Sequence, residues 1–484
     1  MRRLYLAIAV PRMLYAADVF LTPQTHTIES QSAQKSNRTI IQRLAGVQRR
    51  ATLAITGAMQ TTATDVLDAM ANLLPFHLLI EKHRFQSALR LATLPDDHPL
   101  RKSVINAAQR FVKKSPTPLH YMMHQFKLQP TNMEQIAAVR HTTKWTPNFA
   151  IRIANSKEEA ANEDARDRTD IKVYTDGSGL EGQIGASAVL FRGGKEKAQL
   201  RYHLGPATKH TVFEGECVGI TLGLELISRE WRVKEASICV DSQPTIKASA
   251  TTQPGPGRHI VDAFHSRQQQ VQRQHPALSL LIRWTPGHYD VEGNEAADKA
   301  AQEAAEGNTS EKRKLPPYLR KGPLPISKSA RRQAFNSKVK KRAVKLWKRS
   351  PRHHRVDPLL PDLPNSKFSS SMAKLPRRHT SIITQLATGH IPLAKHLFRF
   401  KRVNSPTCPC CREHPETVVH YVLHCPVHKD ARTKLMKDIT NADERNLAGM
   451  LSSHENRIHL LNFVARTQRL HSVFGNVPEL IEEE

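Results

Sequence analysis

The stretch Ile171-Lys-Val-Tyr-Thr-Asp-Gly-Ser178 decides the fold of the central region. Its first five residues are rich in β-branched and aromatic side chains and predict a strand, and the Asp-Gly pair predicts where that strand ends. The same criteria predict further strands at Ile184–Arg192, Ala198–His203, Glu235–Val240 and Ala277–Trp284, and helices at Val212–Arg229, Gln243–Ala250, Arg258–Gln274 and Val291–Ala305. This order indicates an α/β fold with a mixed five-stranded sheet and flanking helices.

Four acidic residues occupy positions where such a fold would bring them together. Asp176 ends the first strand and Asp241 ends the fourth, and we expect these strands to be neighbours with converging ends. A helix packed across them would add Glu216, and the last helix would add Asp298. Clustered carboxylates repel one another unless cations are present, and Mg²⁺ prefers oxygen ligands. Each acid alone fits a turn or a solvated helix face, but the four together predict a divalent metal site.

Longer motifs surround these acids. They are Tyr174-Thr-Asp-Gly-Ser178, the helix of Glu216, Val240-Asp-Ser-Gln243, and Trp284-Thr-Pro-Gly-His288 followed by Gly293-Asn-Glu-Ala-Ala-Asp298. On these motifs, residues 171–305 resemble the RNase H family. The resemblance implies catalytic, metal-binding roles for the four acids, which would hold two Mg²⁺ or Mn²⁺ ions. Glu214 also lies in the helix, and the resemblance favours Glu216 because the family's helix begins as Thr211-Val-Phe213 does here.

The resemblance also implies the remaining site residues and the activity. A His on a loop is often only a solvated turn residue, but the ten-residue spacing from His288 to Asp298 matches the family and implies a mobile His288 that assists proton transfer or product release. Gly177 would permit close backbone approach by a ligand. The contacts with an RNA–DNA hybrid would come from Gly177, Ser178, Ser242, Gln243 and Asn294, the last three facing the minor groove, where 2′-hydroxyls distinguish RNA from DNA.

The implied function is endonucleolytic hydrolysis of the RNA strand of RNA–DNA hybrids. The alternative from another class is a catalytically idle, nucleic-acid-binding remnant of a retroelement, and a third is a pseudogene product that never accumulates. Divalent-dependent cleavage would separate the first two, and detection of the protein would decide the third.

A second cluster of possible metal ligands lies near the C-terminus. Four of the six cysteines fall within 18 residues, and Cys408-x₂-Cys411 followed by His420-x₄-Cys425 has the spacing of a structural zinc site. Cys410 could replace Cys411, and His414 or His424 could compete as ligands. Buried free cysteines in a helical region are the weaker alternative.

The flanking sequence resembles non-LTR retrotransposon proteins. Thr388-Gly-His390 together with the Cys/His run looks like the zinc-binding tail after their reverse transcriptase, and Val47-Gln-Arg-Arg-Ala51, Ile55-Thr-Gly-Ala58 and Leu94-Pro95 look like the helical region after the polymerase palm. Tyr15-Ala-Ala-Asp18 is followed by Val19 and not by a second Asp, so the sequence offers no polymerase metal motif. A separate reverse transcriptase is therefore an expected partner.

These patterns divide the chain into five predicted parts. They are a helical, reverse-transcriptase-derived segment at 1–115, a polar linker at 116–168, the RNase H domain at 169–307, a basic linker at 308–374, and a helical zinc-binding module at 375–484. The residues from 331 to 348 are predicted to become helical when they bind a partner.

The charge of the chain predicts a polyanionic partner. The net charge is +28 at pH 7, and residues 312–355 contain 17 Lys and Arg and no Asp or Glu, so this stretch is expected to contact nucleic acid or to act as a nuclear localisation signal. The alternative is a solvated linker. No apolar run approaches the ~20 residues of a membrane span, and few cysteines indicate a reducing compartment, nuclear or cytoplasmic.

Overall fold

The structure is a computed structural model that describes residues 1–21, 31–114, 116–138, 147–287, 289, 291–361, 363–364 and 366–480, without the side chains of 31–37 and 366. The chain divides into two compact units. The sheet unit is Arg84–Ser337, and the helical unit combines Met1–His83 with Lys338–Glu484. The divisions fall within the helices Phe76–Ala92 and Lys328–Lys348.

The sheet unit is built on one mixed sheet of six strands. In chain order they are β1 (Ala150–Arg152), β2 (Ile171–Leu180), β3 (Gln183–Arg192), β4 (Lys195–Pro206), β5 (Glu235–Val240) and β6 (Ser279–Trp284), and they lie side by side in the order β1-β6-β5-β2-β3-β4. Strands β2, β3 and β4 are antiparallel, whereas β2, β5, β6 and β1 run parallel. The predicted fold class is therefore confirmed, with six strands where five were predicted.

Among the residues that the structure describes, eight α-helices lie wholly within the sheet unit. They are α1 (Arg101–Gln109), α2 (Pro118–Gln125), α3 (Lys157–Arg166), α4 (Val212–Ile227), α5 (Gln243–Ser249), α6 (Arg258–Gln274), α7 (Glu292–Ala305) and α8 (Pro317–Arg320). Successive residues of a strand point to opposite faces. Accordingly, Val173 joins the core that includes α4 and α6, whereas Tyr174 packs with Ala297 and Ala300 of α7.

Glycines allow α4 to lie unusually close to the sheet. Gly215, Gly219 and Gly223 recur every four residues and therefore share one helix face. A Cβ atom added to Gly219 would lie 3.0 Å from the carbonyl oxygen of Ser187 on β3. On the strand side, a Cβ atom added to Gly177 would lie 2.3 Å from the backbone nitrogen of Glu216. Gly177 therefore permits the close approach of a helix, and the approach of a ligand that the sequence suggested stays a prediction.

The segment predicted as a linker at 116–168 is folded where the structure describes it. It contributes α2, β1 and α3, and β1 pairs with β6 in the register Ala150↔Leu281. One acidic residue of α3, Asp164, is buried. Asp164 accepts a hydrogen bond from the hydroxyl of Tyr174 at 3.0 Å and is paired with Arg283, whose side chain is buried on β6. A buried ion pair of this kind makes polar sequence part of the core, which local polarity could not reveal.

The predicted basic linker at 308–374 is also structured. Leu315, Leu319 and Leu324 are buried in the core of the sheet unit, and Lys328–Lys348 is a helix. Val339, Ala343 and Trp347 are buried at four-residue intervals on that helix. The basic stretch is therefore folded, and its long helix buries a narrow row of apolar residues.

The helical unit consists of helices around one large core and one smaller core. Its longer helices are Gln31–Thr56, Thr64–Met70, Ser366–Lys374, Arg377–Thr388, Lys429–Asp438 and His454–Thr467. The shorter ones are Arg2–Leu4, Val10–Met13, Ala17–Phe20, His353–Val356, Ala394–Arg399, Leu447–Ser452 and His471–Phe474. In the described part of the chain, we find no helix with the length and apolarity needed to cross a bilayer.

Candidate metal centres

Three of the four predicted carboxylates converge beside the central strands β2 and β5, near the C-terminal end of β5. Asp176 on β2, Glu216 on α4 and Asp241 after β5 each offer an oxygen atom, and these atoms all lie within 4.8 Å of one another. Asp176 and Glu216 are buried, at 7% and 5% exposure, and Asp241 is half-buried. The parallel pairing of β2 with β5, which ends at Thr175↔Val240, places the two aspartates side by side.

The protonation of these acids is strongly perturbed. Burial, followed by the charges of Asp241 and Asp298, raises the pKa of Asp176 to about 7. Burial and the charges of Asp241 and Asp176 hold the pKa of Glu216 well above its usual value. One oxygen of Glu216, Oε2, is buried without a hydrogen-bond partner. A divalent cation would relieve the repulsion and give this oxygen a partner, so the donor set fits Mg²⁺ or Mn²⁺.

Asp298 lies beside this group but is not one of the acids whose oxygen atoms all lie within 4.8 Å of one another. It is half-buried on α7, and its charge contributes to the raised pKa of Asp176. Both of its carboxylate oxygens accept hydrogen bonds of 3.0 Å from the side-chain amide of Gln302, one helical turn away. Asp298 is thus held at the rim of the carboxylate cluster.

Hydrogen bonds from the last residue of β6 and from the residue after it hold the backbone of the segment that carries Asp241. The indole nitrogen of Trp284 donates to the carbonyl oxygen of Asp241 at 3.0 Å, and the backbone nitrogen of Thr285 donates to that of Val240 at 2.9 Å. A Cβ atom on Gly287 would approach Asp241 Oδ2 to 3.0 Å. The motif that begins at Trp284 therefore also positions an acid 43 residues earlier in the chain.

The other predicted site residues differ in how exposed they are. His288 lies outside the described residues. Ser178, Ser242 and Gln243 are half-buried. Asn294 is only 6% exposed, at the start of α7.

Glu214, the acid that competes with Glu216 in the sequence, has a different role. Its carboxylate accepts a hydrogen bond of 2.8 Å from the backbone nitrogen of Thr211, and the Thr211 hydroxyl accepts one from the backbone nitrogen of Glu214. This reciprocal pair is a capping box at the start of α4. Glu214 therefore fixes the beginning of the helix that presents Glu216.

A second candidate centre lies in the helical unit. Ligand atoms of Cys408, Cys411, His420 and Cys425 all lie within 4.8 Å of one another. The sulfur of Cys411 is 3.4 Å from Nε2 of His420, and the sulfurs of Cys408 and Cys425 are 3.9 Å apart. Cys410, His414 and His424 are not in this group. Three thiols and one imidazole are a donor set that suits tetrahedral zinc.

A buried acid supports this cluster, and its role was not predicted from the sequence. Glu416 is 1% exposed; its carboxylate accepts 2.7 Å hydrogen bonds from two nitrogens of Arg469 and one of 2.6 Å from the backbone nitrogen of Ala394. The sulfur of Cys408 lies 3.9 Å from Glu416. The arginine neutralises an acid that would otherwise repel a nearby thiolate. Because Arg469 lies 53 residues from Glu416, no local motif indicates the pair.

Comparison with known families agrees with both centres. Residues 168–306 match the family model of RNase H, and residues 364–431 match a model described as zinc-binding in reverse transcriptase. The chain thus carries an RNase H domain, which contains the carboxylate cluster. It also carries a reverse-transcriptase zinc-binding domain, which contains the Cys/His cluster and supports a zinc site there. This pair of domains is consistent with the RNase H region of a retrotransposon protein.

Solved structures are also similar to part of the chain. The N-terminal RNase H domain of a Mycobacterium tuberculosis protein, solved as a fusion with maltose binding protein, is 19% identical over 28% of this chain and 94% of that chain, with a TM-score of 0.24. RNase H1 from Halobacterium salinarum is 19% identical, and the match covers 28% of this chain and 98% of that chain, with a TM-score of 0.23. The prototype foamy virus protease–reverse transcriptase is 14% identical, and the match covers 38% of this chain and 24% of that chain, with a TM-score of 0.24. No curated protein matches the chain.

Proposed function

We propose that the sheet unit is a ribonuclease H that hydrolyses the RNA strand of RNA–DNA hybrids. The observation that carries this proposal is the convergence of Asp176, Glu216 and Asp241 within 4.8 Å, with a buried and unpartnered carboxylate oxygen, inside a region that matches the RNase H family. Asp298, at the rim, is the fourth proposed ligand.

The divalent ions, when bound, supply an activated water and stabilise the leaving 3′ oxygen. The chain's own residues hold them and orient the substrate. Asp176 and Asp241 are fixed by the pairing of β2 with β5, and Glu216 by the close approach of α4 to Gly177. The products would carry 5′ phosphate and 3′ hydroxyl groups.

Recognition of the RNA strand is assigned to residues beside the cluster. We infer that Ser242 and Gln243, which are half-buried at the start of α5, contact 2′-hydroxyls in the minor groove. We also propose contacts from Ser178 and from Asn294, which is 6% exposed and would have to become exposed to reach the hybrid. His288 would assist proton transfer or product release. Hybrids arise when DNA is copied from RNA, so a reverse transcriptase would supply the substrate.

In the helical unit we propose that Cys408, Cys411, His420 and Cys425 hold one structural zinc ion. Four protein ligands leave no open position for a reacting water, which favours a structural role. Zinc would join the Cys408–Cys411 turn to the helical turn His420–His424 and to Cys425. Thiolate ligands and free cysteines fit a reducing compartment, the nucleus or the cytoplasm.

The test of the proposed activity is a substrate panel. Purified protein would be incubated with labelled RNA–DNA hybrid, single-stranded RNA, double-stranded RNA and double-stranded DNA, with Mg²⁺, Mn²⁺ or neither. We expect cleavage of the hybrid alone, only with divalent ions, and within the RNA strand. Failure to cut any substrate by a folded protein would favour the idle nucleic-acid-binding remnant.

A further inference from the structure

An exposed run of alternating aromatic and basic residues spans the C-terminal end of the helix Ala394–Arg399 in the helical unit. The five residues Phe398, Arg399, Phe400, Lys401 and Arg402, which we name the aromatic–basic surface, are all exposed. The two phenylalanine rings are 45% and 43% exposed. Exposed aromatic side chains grouped on a surface commonly mark a binding site, and neither the carboxylate cluster nor the zinc cluster uses them.

The backbone holds the two rings in a fixed turn. The backbone nitrogen of Lys401 donates to Phe398 at 2.9 Å, and that of Arg402 donates to Leu397 at 3.0 Å. Lys401 adopts a left-handed φ of 54°, which ends the helix. The ring of His396 lies 5.1 Å from that of Phe400, and its Nε2 lies 3.4 Å from the hydroxyl of Thr61. The turn therefore fixes the backbone that carries both rings, and His396 packs against the ring of Phe400.

The surroundings are positively charged. Residues 363–412 contain no Asp or Glu. A cleft of about 720 Å³ adjoins Phe398 and is lined by Arg355, His390, Lys395 and Arg399. Its acidic lining residue, Glu416, is already paired with Arg469. Within the residues that the structure describes, neither Lys395 nor Arg399 forms an ion pair, so their charges face outward.

We propose that the aromatic–basic surface binds single-stranded nucleic acid. Unpaired bases would stack on Phe398 and Phe400, and phosphates would contact Arg399, Lys401 and Arg402. Bases in a duplex are covered by their neighbours, so exposed rings favour unpaired strands. An acidic protein would meet the charges but would not need two stacking rings. This site lies in the helical unit and is separate from the proposed hybrid site.

The test measures binding of the full chain to fluorescent oligo(dT), oligo(U) and a duplex of the same length, with bound zinc retained and no Mg²⁺ added. Phe398→Ala is expected to weaken binding of the single strands by roughly 5- to 150-fold, the loss of one stacked base. Phe398→Tyr should bind as the wild type does, because the ring is kept. Tyr15→Ala is the matched control, since Tyr15 is an 81% exposed aromatic in the same unit.

Two further readouts separate stacking from simple charge attraction. A 2-aminopurine base in the oligonucleotide should be quenched by the wild type and by Phe398→Tyr, and less by Phe398→Ala. Arg399→Gln should flatten the dependence of affinity on salt. Unchanged affinity in a Phe398→Ala protein that keeps its zinc and its melting temperature would overturn the proposal and point to a protein partner. Equal losses for duplex and single strand would overturn it as well. Comparing the affinities for oligo(dT) and oligo(U) tells whether DNA or RNA is preferred.

Discussion

Substituting Gly177 by Ala should displace the proposed metal ligand Glu216 while leaving every proposed metal ligand in the chain. It therefore tests whether the position of this ligand matters for cleavage. Gly177 is next to Asp176, and its missing side chain is what lets α4 approach β2. A Cβ atom there would lie 2.3 Å from the backbone nitrogen of Glu216, 2.7 Å from the carbonyl carbon of Gly215 and 2.9 Å from the carbonyl oxygen of Val212. All three are backbone atoms, so no side-chain rotation can relieve the clash.

The size of the effect follows from these distances. Ordinary contact begins at 3.4 Å, so α4 must move by about 1.1 Å (3.4 Å minus 2.3 Å) at Glu216. Overpacking of this kind typically costs ~1–3 kcal/mol of folding free energy. A misplacement of ~1 Å at a catalytic group can lower the rate about 100-fold. We therefore expect Gly177→Ala to remain partly stable but to cleave hybrid about 100-fold more slowly.

The assay compares three alanine variants in hybrid cleavage, normalised to the folded fraction from denaturant unfolding. Gly179→Ala is the matched control on the same strand, because its Cβ would meet side-chain atoms and no backbone atom, Val212 Cγ2 at 3.1 Å and Ile184 Cδ1 at 3.6 Å. Gly255→Ala is an open-space control with no atom within 4 Å. Both controls should cleave within a few-fold of the wild-type rate. A folded Gly177→Ala protein with the wild-type rate would refute the placement of Glu216 by this glycine.

Three other predictions concern the zinc ligands, a buried acid and a buried cap. Cys411→Ser should lose the bound zinc, whereas Cys410→Ser should keep one zinc per chain by elemental analysis; the reverse result would contradict the proposed ligand set. Burial raises the pKa of Asp68 to about 7, above its unfolded value, so the unfolding free energy should fall as pH rises from about 4 to 7, by at most about 4 kcal/mol. Asp68→Asn should reduce this dependence in thermal unfolding at pH 5 and 8, leaving the part that is due to the other buried acids, and an unchanged pH profile would contradict it. The buried Glu134 carboxylate accepts 2.6 Å hydrogen bonds from the backbone nitrogens of Gly257 and Lys328, so Glu134→Gln should lower the unfolding free energy by about 1–3 kcal/mol, and an unshifted denaturation midpoint would argue against that role.

Much of the sheet and of the carboxylate cluster could be predicted because their signals are local. Strand periodicity located the start of β2 and both ends of β5, but the prediction that Asp176-Gly177 ends β2 was wrong, because β2 stays paired with β3 as far as Leu180. The pairing of β2 with β5 brings Asp176 and Asp241 together. Distinguishing Glu216 from Glu214 required the family resemblance, since both lie at the start of one helix. The structure shows that Glu214 is a cap.

The parts that could not be predicted depend on contacts between distant residues. The polar segment of α3 looked like a linker because its partner, Arg283, is 119 residues further along the chain. Cysteine spacing favoured Cys411 but left Cys410 as a possible replacement, and the fold brings the sulfur of Cys411 to within 3.4 Å of His420 Nε2. Similarly, the helix Lys328–Lys348 has too few apolar residues for its sequence to show that it is packed.

The most direct test of the central claim is cleavage of a labelled RNA–DNA hybrid by Asp241→Asn beside the wild type, in Mg²⁺. The substitution keeps the shape of the side chain and removes the charge of one proposed metal ligand. Hybrid-specific cutting by the wild type that Asp241→Asn abolishes, with unchanged folding, is the predicted result. Equal cutting by both proteins, or none by a folded wild type in Mg²⁺ or Mn²⁺, would contradict the assignment of this cluster as a ribonuclease H active site.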